Sequence, residues 1–119
     1  MKLYGLRIFV DDYQAARHFY LETLGLTLAW EMAEHGALGV SLDGPQFIIE
    51  AVDTDSSAQD RALVGRFLGV SLQVEAIQET YADLLAKGVA FTAPPEQQFW
   101  GGSLAHFKDP AGNVLTLLG

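Results

Sequence analysis

A chain of 119 residues, 50% hydrophobic and 18% charged, has the size and composition of one globular domain rather than of a disordered segment. Fifteen acids against seven Lys and Arg leave a net charge of −8, which argues against nucleic acid as a partner. The absence of cysteine excludes disulfides, thiolate metal sites and a cysteine nucleophile. No apolar run reaches the ~18 residues of a membrane span. Arg7, Asp11 and Asp12 interrupt the amino-terminal apolar stretch too early for a signal peptide, so a soluble cytoplasmic protein with no membrane partner is expected. The acidic excess reads either as a field that attracts cationic ligands or as a solvated surface that maintains solubility.

Leu3 to Val10 reads as a first strand, followed by Asp11 and Asp12 as helix N-cap candidates. Ala15, Ala16, Phe19, Tyr20, Thr23 and Leu24 recur at three- and four-residue steps, which predicts an amphipathic helix from Asp12 to Leu24 ending at Gly25. Strands are expected over Leu26–Met32, Ala37–Leu42 and Gln46–Val52, with turns at Glu34-His35-Gly36 and Asp43-Gly44-Pro45. Asp53 to Gly65 is polar and reads as a linker. The pattern then restarts: a strand over Phe67–Val74, a helix from Glu75 or Ala76 to Lys87 ending at Gly88, and strands over Val89–Thr92, Ser103–Lys108 and Val114–Leu118. Asp109-Pro110-Ala111-Gly112-Asn113 supplies the turn chemistry of the last hairpin.

Asp12 to Gly25 and Glu75 to Gly88 span the same thirteen-residue interval, and a fixed internal period is an architectural signal. The expected organisation is α+β: two βαβββ modules, 1–52 and 67–119, joined by a linker over 53–66. Each module would form a curved antiparallel sheet with one face under its helix, and the two would enclose a cleft.

This doubled pattern resembles the vicinal oxygen chelate superfamily of glyoxalases, extradiol dioxygenases, and fosfomycin and bleomycin resistance proteins. The resemblance is carried by Val10-Asp-Asp, Phe19-Tyr20, Leu24-Gly25-Leu26 and Phe107-Lys-Asp-Pro-Ala-Gly-Asn113. It implies a cleft that, in the metalloenzymes, holds a divalent metal through four positions. Those positions match Gly5, Gly69, Glu50 and Thr116 here, so only Glu50 is a good ligand. One carboxylate does not supply the three protein groups typical of a catalytic metal. The resemblance is therefore to the bleomycin resistance branch, which binds its ligand without metal and is dimeric; Phe99-Trp100-Gly101 resembles the Trp-Gly of those proteins.

Strand alternation assigns the candidate ligand contacts. Arg7 and Phe9 share a face with Gly5, Ile48 shares one with Glu50, Ser71 and Gln73 follow Gly69, and Val114 and Leu118 flank Thr116. Glu50 lies among apolar neighbours and needs a partner, with Arg7, Ser71 and Thr116 the candidates. Trp30 and Trp100 fall in corresponding regions of the two halves and read as core packing or as walls for a planar ligand. His18 and His35 are expected to be exposed, whereas His106 could face the cleft or the opposite surface. The leading expectation is a homodimeric, cofactor-free protein that sequesters a planar or cationic small molecule. The alternatives are a metal-dependent lyase, isomerase or dioxygenase, and a metal-free enzyme using Glu50 as acid or base.

Overall fold

The computed structural model describes all residues, Met1–Gly119. The chain divides into two compact units, Met1–Gly65 and Arg66–Gly119, each a curved sheet carrying a helix.

The first unit contains β1 (Gly5–Val10), α1 (Tyr13–His18), β2 (Thr27–Met32), β3 (Ala37–Ser41), β4 (Gln46–Ala51) and α2 (Ala58–Arg61). Its sheet runs β1-β4-β3-β2. The pairs β2–β3 and β3–β4 are antiparallel, but β1 and β4 are parallel, with Gly5 opposite Gln46 and Phe9 opposite Glu50. The expected all-antiparallel sheet is thus corrected to a mixed one. The helix after β1 returns the chain to the far side of the sheet, and three hairpin-joined strands bring β4 back beside β1 in the same direction.

Asp12 caps α1 as expected, its Oδ1 accepting from the Ala15 amide at 3.0 Å. The regular helix is shorter than the spacing predicts. From Phe19 to Thr23 it widens into a π-turn, closed by the Leu24 amide on the Phe19 carbonyl at 2.8 Å. Phe19 and Tyr20 are adjacent yet both buried, in edge contact at 5.1 Å, and the extra residue in the turn accommodates both on the sheet side. Beneath them lie Ile8, Val10, Leu38, Val40, Phe47 and Ile49, none more than 2% exposed. At the rim of this core Glu31 accepts Arg17 Nε at 2.8 Å and the Tyr13 hydroxyl. Arg17, then Tyr13, hold the Glu31 carboxyl below its usual range, and burial followed by Glu31 pushes the Tyr13 phenol up.

The region read as a plain linker has structure of its own. Asp53 Oδ1 accepts the amides of Asp55 and Ser56, and Ser57 caps the single turn of α2 through the Asp60 amide.

The second unit contains β5 (Phe67–Gln73), α3 (Ile77–Ala86), β6 (Ala90–Phe91), β7 (Glu96–Gln97), β8 (Ser103–Lys108) and β9 (Val114–Leu118). The sheet runs β5-β9-β8-β6, with β7 also on β8 and β5 parallel to β9, the same departure from an antiparallel sheet as in the first unit. Periodicity does not predict the two-residue β7, because two polar residues carry no alternation to read. Gly69 takes φ +69° inside β5, where the register against β9 shifts, so this strand bulges at a residue without Cβ strain. Tyr81, Phe91 and Phe107 form an aromatic series at 4.8 and 5.6 Å under α3. In the last turn Asp109 Oδ1 accepts from Ala111 and Asn113, and the buried Asn113 carboxamide accepts the Arg66 amide at the start of β5.

Candidate functional site

The sheet face of the first unit opposite α1 collects the candidate residues. Along β1 it presents Gly5, Arg7 and Phe9, and along β4 Gln46, Ile48 and Glu50, in the register of the parallel pair. Arg7 and Glu50 meet in a two-point ion pair, Nε to Oε2 at 2.5 Å and Nη2 to Oε1 at 2.9 Å. The guanidinium carbon stands 5.2 Å from the Phe9 ring centroid, a cation–π arrangement. The Arg7 side chain is 62% exposed and that of Glu50 27%, so the pair stays partly in water. Its hydrogen bond to Glu50, then the charge itself, raises the Arg7 pKa.

Trp30 lies across the same face from β2. Its indole Nε1 donates to Gln46 Oε1 at 2.8 Å, and its ring covers Gly39 on β3. A Cβ at Gly39 would overlap the indole nitrogen and stand 2.7 Å from Gln46 Oε1. The strand register shifts between Leu28 and Trp30, a bulge that re-aims the tryptophan. Arg7, Phe9, Trp30, Ile48 and Glu50 therefore share one face. Gln46 and Gly39 belong with them, beyond the residues that sequence reasoning singles out. Both carry a signal: Gln46 has the parity of Ile48 and Glu50, and an isolated glycine within a strand marks a close approach.

In the second unit Ser71, Thr116 and His106 form a row across β5, β9 and β8. His106 Nδ1 and Thr116 Oγ1 are 2.8 Å apart, which settles the open orientation of His106 on the Thr116 face; the Phe67 ring meets the imidazole edge-on at 6.1 Å. Gln73 lies on this face one register step along from Ser71. Trp100 does not occupy a position equivalent to Trp30. It sits in the turn closed by Gln98 and Gly102, half exposed, with its ring over Gly102. His18 and His35 are exposed, as expected.

The donors at the four positions implied by the family resemblance fit a divalent metal poorly. Gly5 has no donor, and a Cβ there would stand 2.8 Å from the Gln46 carbonyl oxygen and 3.1 Å from Ile48 Cδ1, so a larger side chain has no room. Both oxygens of Glu50 are engaged by Arg7, Gly69 offers nothing, and the Thr116 hydroxyl is paired with His106. Within neither unit do three His, Asp or Glu side chains gather in a ligating group.

Comparison with known proteins agrees with the fold. A family model described as Glyoxalase/Bleomycin resistance protein/Dioxygenase superfamily matches residues 3–117. The protein YraH of Bacillus subtilis is 28% identical over 125 residues, covering 98% of this chain and 97% of its own. A solved superfamily member from Sphaerobacter thermophilus is 30% identical with a TM-score of 0.82, over 99% of this chain and 96% of that one. A lactoylglutathione lyase from Agrobacterium tumefaciens, 15% identical with a TM-score of 0.76 over 97% and 90% of the two chains, shares the fold. With a family model spanning nearly its whole length and two βαβββ-type units behind it, the chain belongs to the glyoxalase/bleomycin resistance protein/dioxygenase superfamily.

Proposed function

We propose that this protein binds a planar small molecule on the sheet face of its first unit opposite α1, without a metal, in the manner of the bleomycin resistance members of its superfamily. One observation carries the reading. The only carboxylate among the superfamily's four metal positions, Glu50, is held at both oxygens by Arg7, on the same sheet face as a tryptophan that Gln46 holds over Gly39. A side chain so engaged orients a polar substituent of a ligand, whereas a metal would have to displace the guanidinium first. Trp30 supplies an aromatic wall whose position is already set by Gln46 and Gly39, so little ordering is needed when a ring stacks on it. No cofactor takes part. The protein would sequester its ligand rather than transform it.

The test is a fluorescence titration with planar antibiotics and aromatic acids, on the wild type, Trp30→Phe and Glu50→Gln. A saturable change in tryptophan emission is expected, lost in Trp30→Phe and weakened about tenfold or more in Glu50→Gln, the effect of disturbing a charge-assisted contact. Elemental analysis of the purified protein should find no stoichiometric zinc, nickel, manganese or iron. A ligand indifferent to Glu50→Gln, or one metal ion per chain, would overturn the reading.

A further inference from the structure

The parallel strands β1 and β4 end level with one another, at the pair Val10 and Ala51. The chain beyond them does not leave. Asp53 folds the next residues back through the amides of Asp55 and Ser56, and α2 follows. Between the strand ends and this returning segment lies a pocket of about 360 Å³, lined by Asp11, Val52, Asp53, Thr54, Arg61 and Val64. Its volume is at the lower end of the range for small-molecule sites.

The lining has an unusual charge arrangement. Arg61 shares the pocket with two aspartates, yet it forms no ion pair with either. Asp53 uses only Oδ1 in its turn, so none of those hydrogen bonds engages Oδ2. Positive and negative groups therefore line one cavity without a direct ion pair, together with Val52 and Val64. A lone metal cation would meet the repulsion of Arg61, and a lone anion that of Asp11 and Asp53. A molecule carrying both charges satisfies all three.

We infer that this pocket is a binding site for a small zwitterion of the amino-acid class, with its carboxylate on Arg61, its ammonium between Asp11 and Asp53, and its apolar part on the two valines. Charge-assisted hydrogen bonds at both ends give the recognition, and the two lining valines favour an aliphatic side chain. The site is distinct from the Trp30 face and does not depend on what binds there.

The experiment is an amide chemical-shift titration of the isotopically labelled full chain with L-leucine, N-acetyl-L-leucine and L-leucinamide. L-Leucine should give saturable shifts centred on Thr54, Arg61 and Val64. N-Acetyl-L-leucine lacks the ammonium and L-leucinamide the carboxylate, so each should bind at least about tenfold more weakly. Arg61→Gln and Asp11→Asn, both at exposed positions, should weaken L-leucine to a similar degree while leaving the rest of the spectrum in place. Absent or non-saturable shifts, shifts centred elsewhere, equal binding of all three compounds, or indifference to Arg61→Gln would overturn the inference. The Trp30 indole resonance reports separately on the sheet face, so failure of either site is told from failure of the other.

Discussion

Gly39 has no side chain because Trp30 occupies the space where one would be. A Cβ there would also stand 2.5 Å from the indole Cε2, and the obstacle is a rigid ring held by Gln46 rather than the tip of a flexible chain. Gly39→Ala should therefore displace the indole, break its bond to Gln46 and destabilise the fold by ~1–3 kcal/mol, the usual cost of overpacking. Emission spectra and thermal melts in a Trp100→Phe background would check this, the expected signature being a more solvent-exposed tryptophan together with a lower Tm. An unchanged spectrum would mean that the ring moves aside at no cost. The Arg7–Glu50 pair obeys different physics. It is partly solvated, and pairs of that kind contribute under about 1 kcal/mol, so stability alone does not account for its place on the face. This pairing is legible in the residues alone, since a carboxylate flanked by Phe47, Ile48 and Ile49 needs a cation and Arg7 has the right strand parity. The seating of Trp30 is not. Alternation gives a side chain's face, and only the bulge between Leu28 and Trp30 directs the ring across Gly39.

The helices and strands follow from periodicity wherever side chains alternate between core and solvent, as in β5 with its exposed Phe67, Ser71 and Gln73 and half-buried Leu68, Val70 and Leu72. Periodicity is silent where hydrogen bonds rather than burial shape the chain: the π-turn after α1, the two-residue β7 and the folded linker with α2. It is also silent on the direction of β4 relative to β1, which depends on the whole path between them. The Asp109–Asn113 turn is legible as a turn, but its reach to the Arg66 amide is not, because that contact joins residues forty-seven apart. The packing of α1 carries its own prediction. Arg17, then Tyr13, lower the pKa of Glu31 from its ordinary 4.5, so the folded state binds the Glu31 proton less readily than the unfolded chain does. The stabilisation is then complete above the ordinary carboxylate range and is lost as pH falls through the lowered value. Melts of wild type and Glu31→Gln over acidic pH should converge: the wild type is more stable near neutrality, and the gap closes below about pH 4.5 as Glu31 takes up its proton. A gap that persists or widens at low pH would show that Arg17 and Tyr13 do not stabilise the ionised form.

At the scale of the molecule, each unit exposes apolar side chains that a stable monomer usually covers. In the first unit Leu28 is 38% and Met32 46% exposed on β2, the outer strand of the sheet order β1-β4-β3-β2, and Leu3 and Tyr4 ahead of β1 are more exposed still. In the second, Phe67 is 63%, Phe99 100% and Trp100 52% exposed. Scattered single exposures need no explanation, but two exposed apolar residues on an edge strand with no neighbour on its outer side invite association, and neither lysine nor proline interrupts Thr27–Met32 to discourage it. We therefore expect a homodimer whose contact buries more than ~1,000 Å², the threshold for a specific interface. The net charge of −8 opposes non-specific aggregation, which favours one closed, symmetric contact over open-ended growth. Light scattering at micromolar concentration should give twice the 12.9 kDa chain mass, and Leu28→Lys with Met32→Lys should shift the population toward monomer if β2 forms the contact. A dimer that survives both substitutions would move the interface to the Phe67 and Phe99 side chains. A mass of one chain for the wild type would leave the exposed aromatic and aliphatic residues to ligand binding alone.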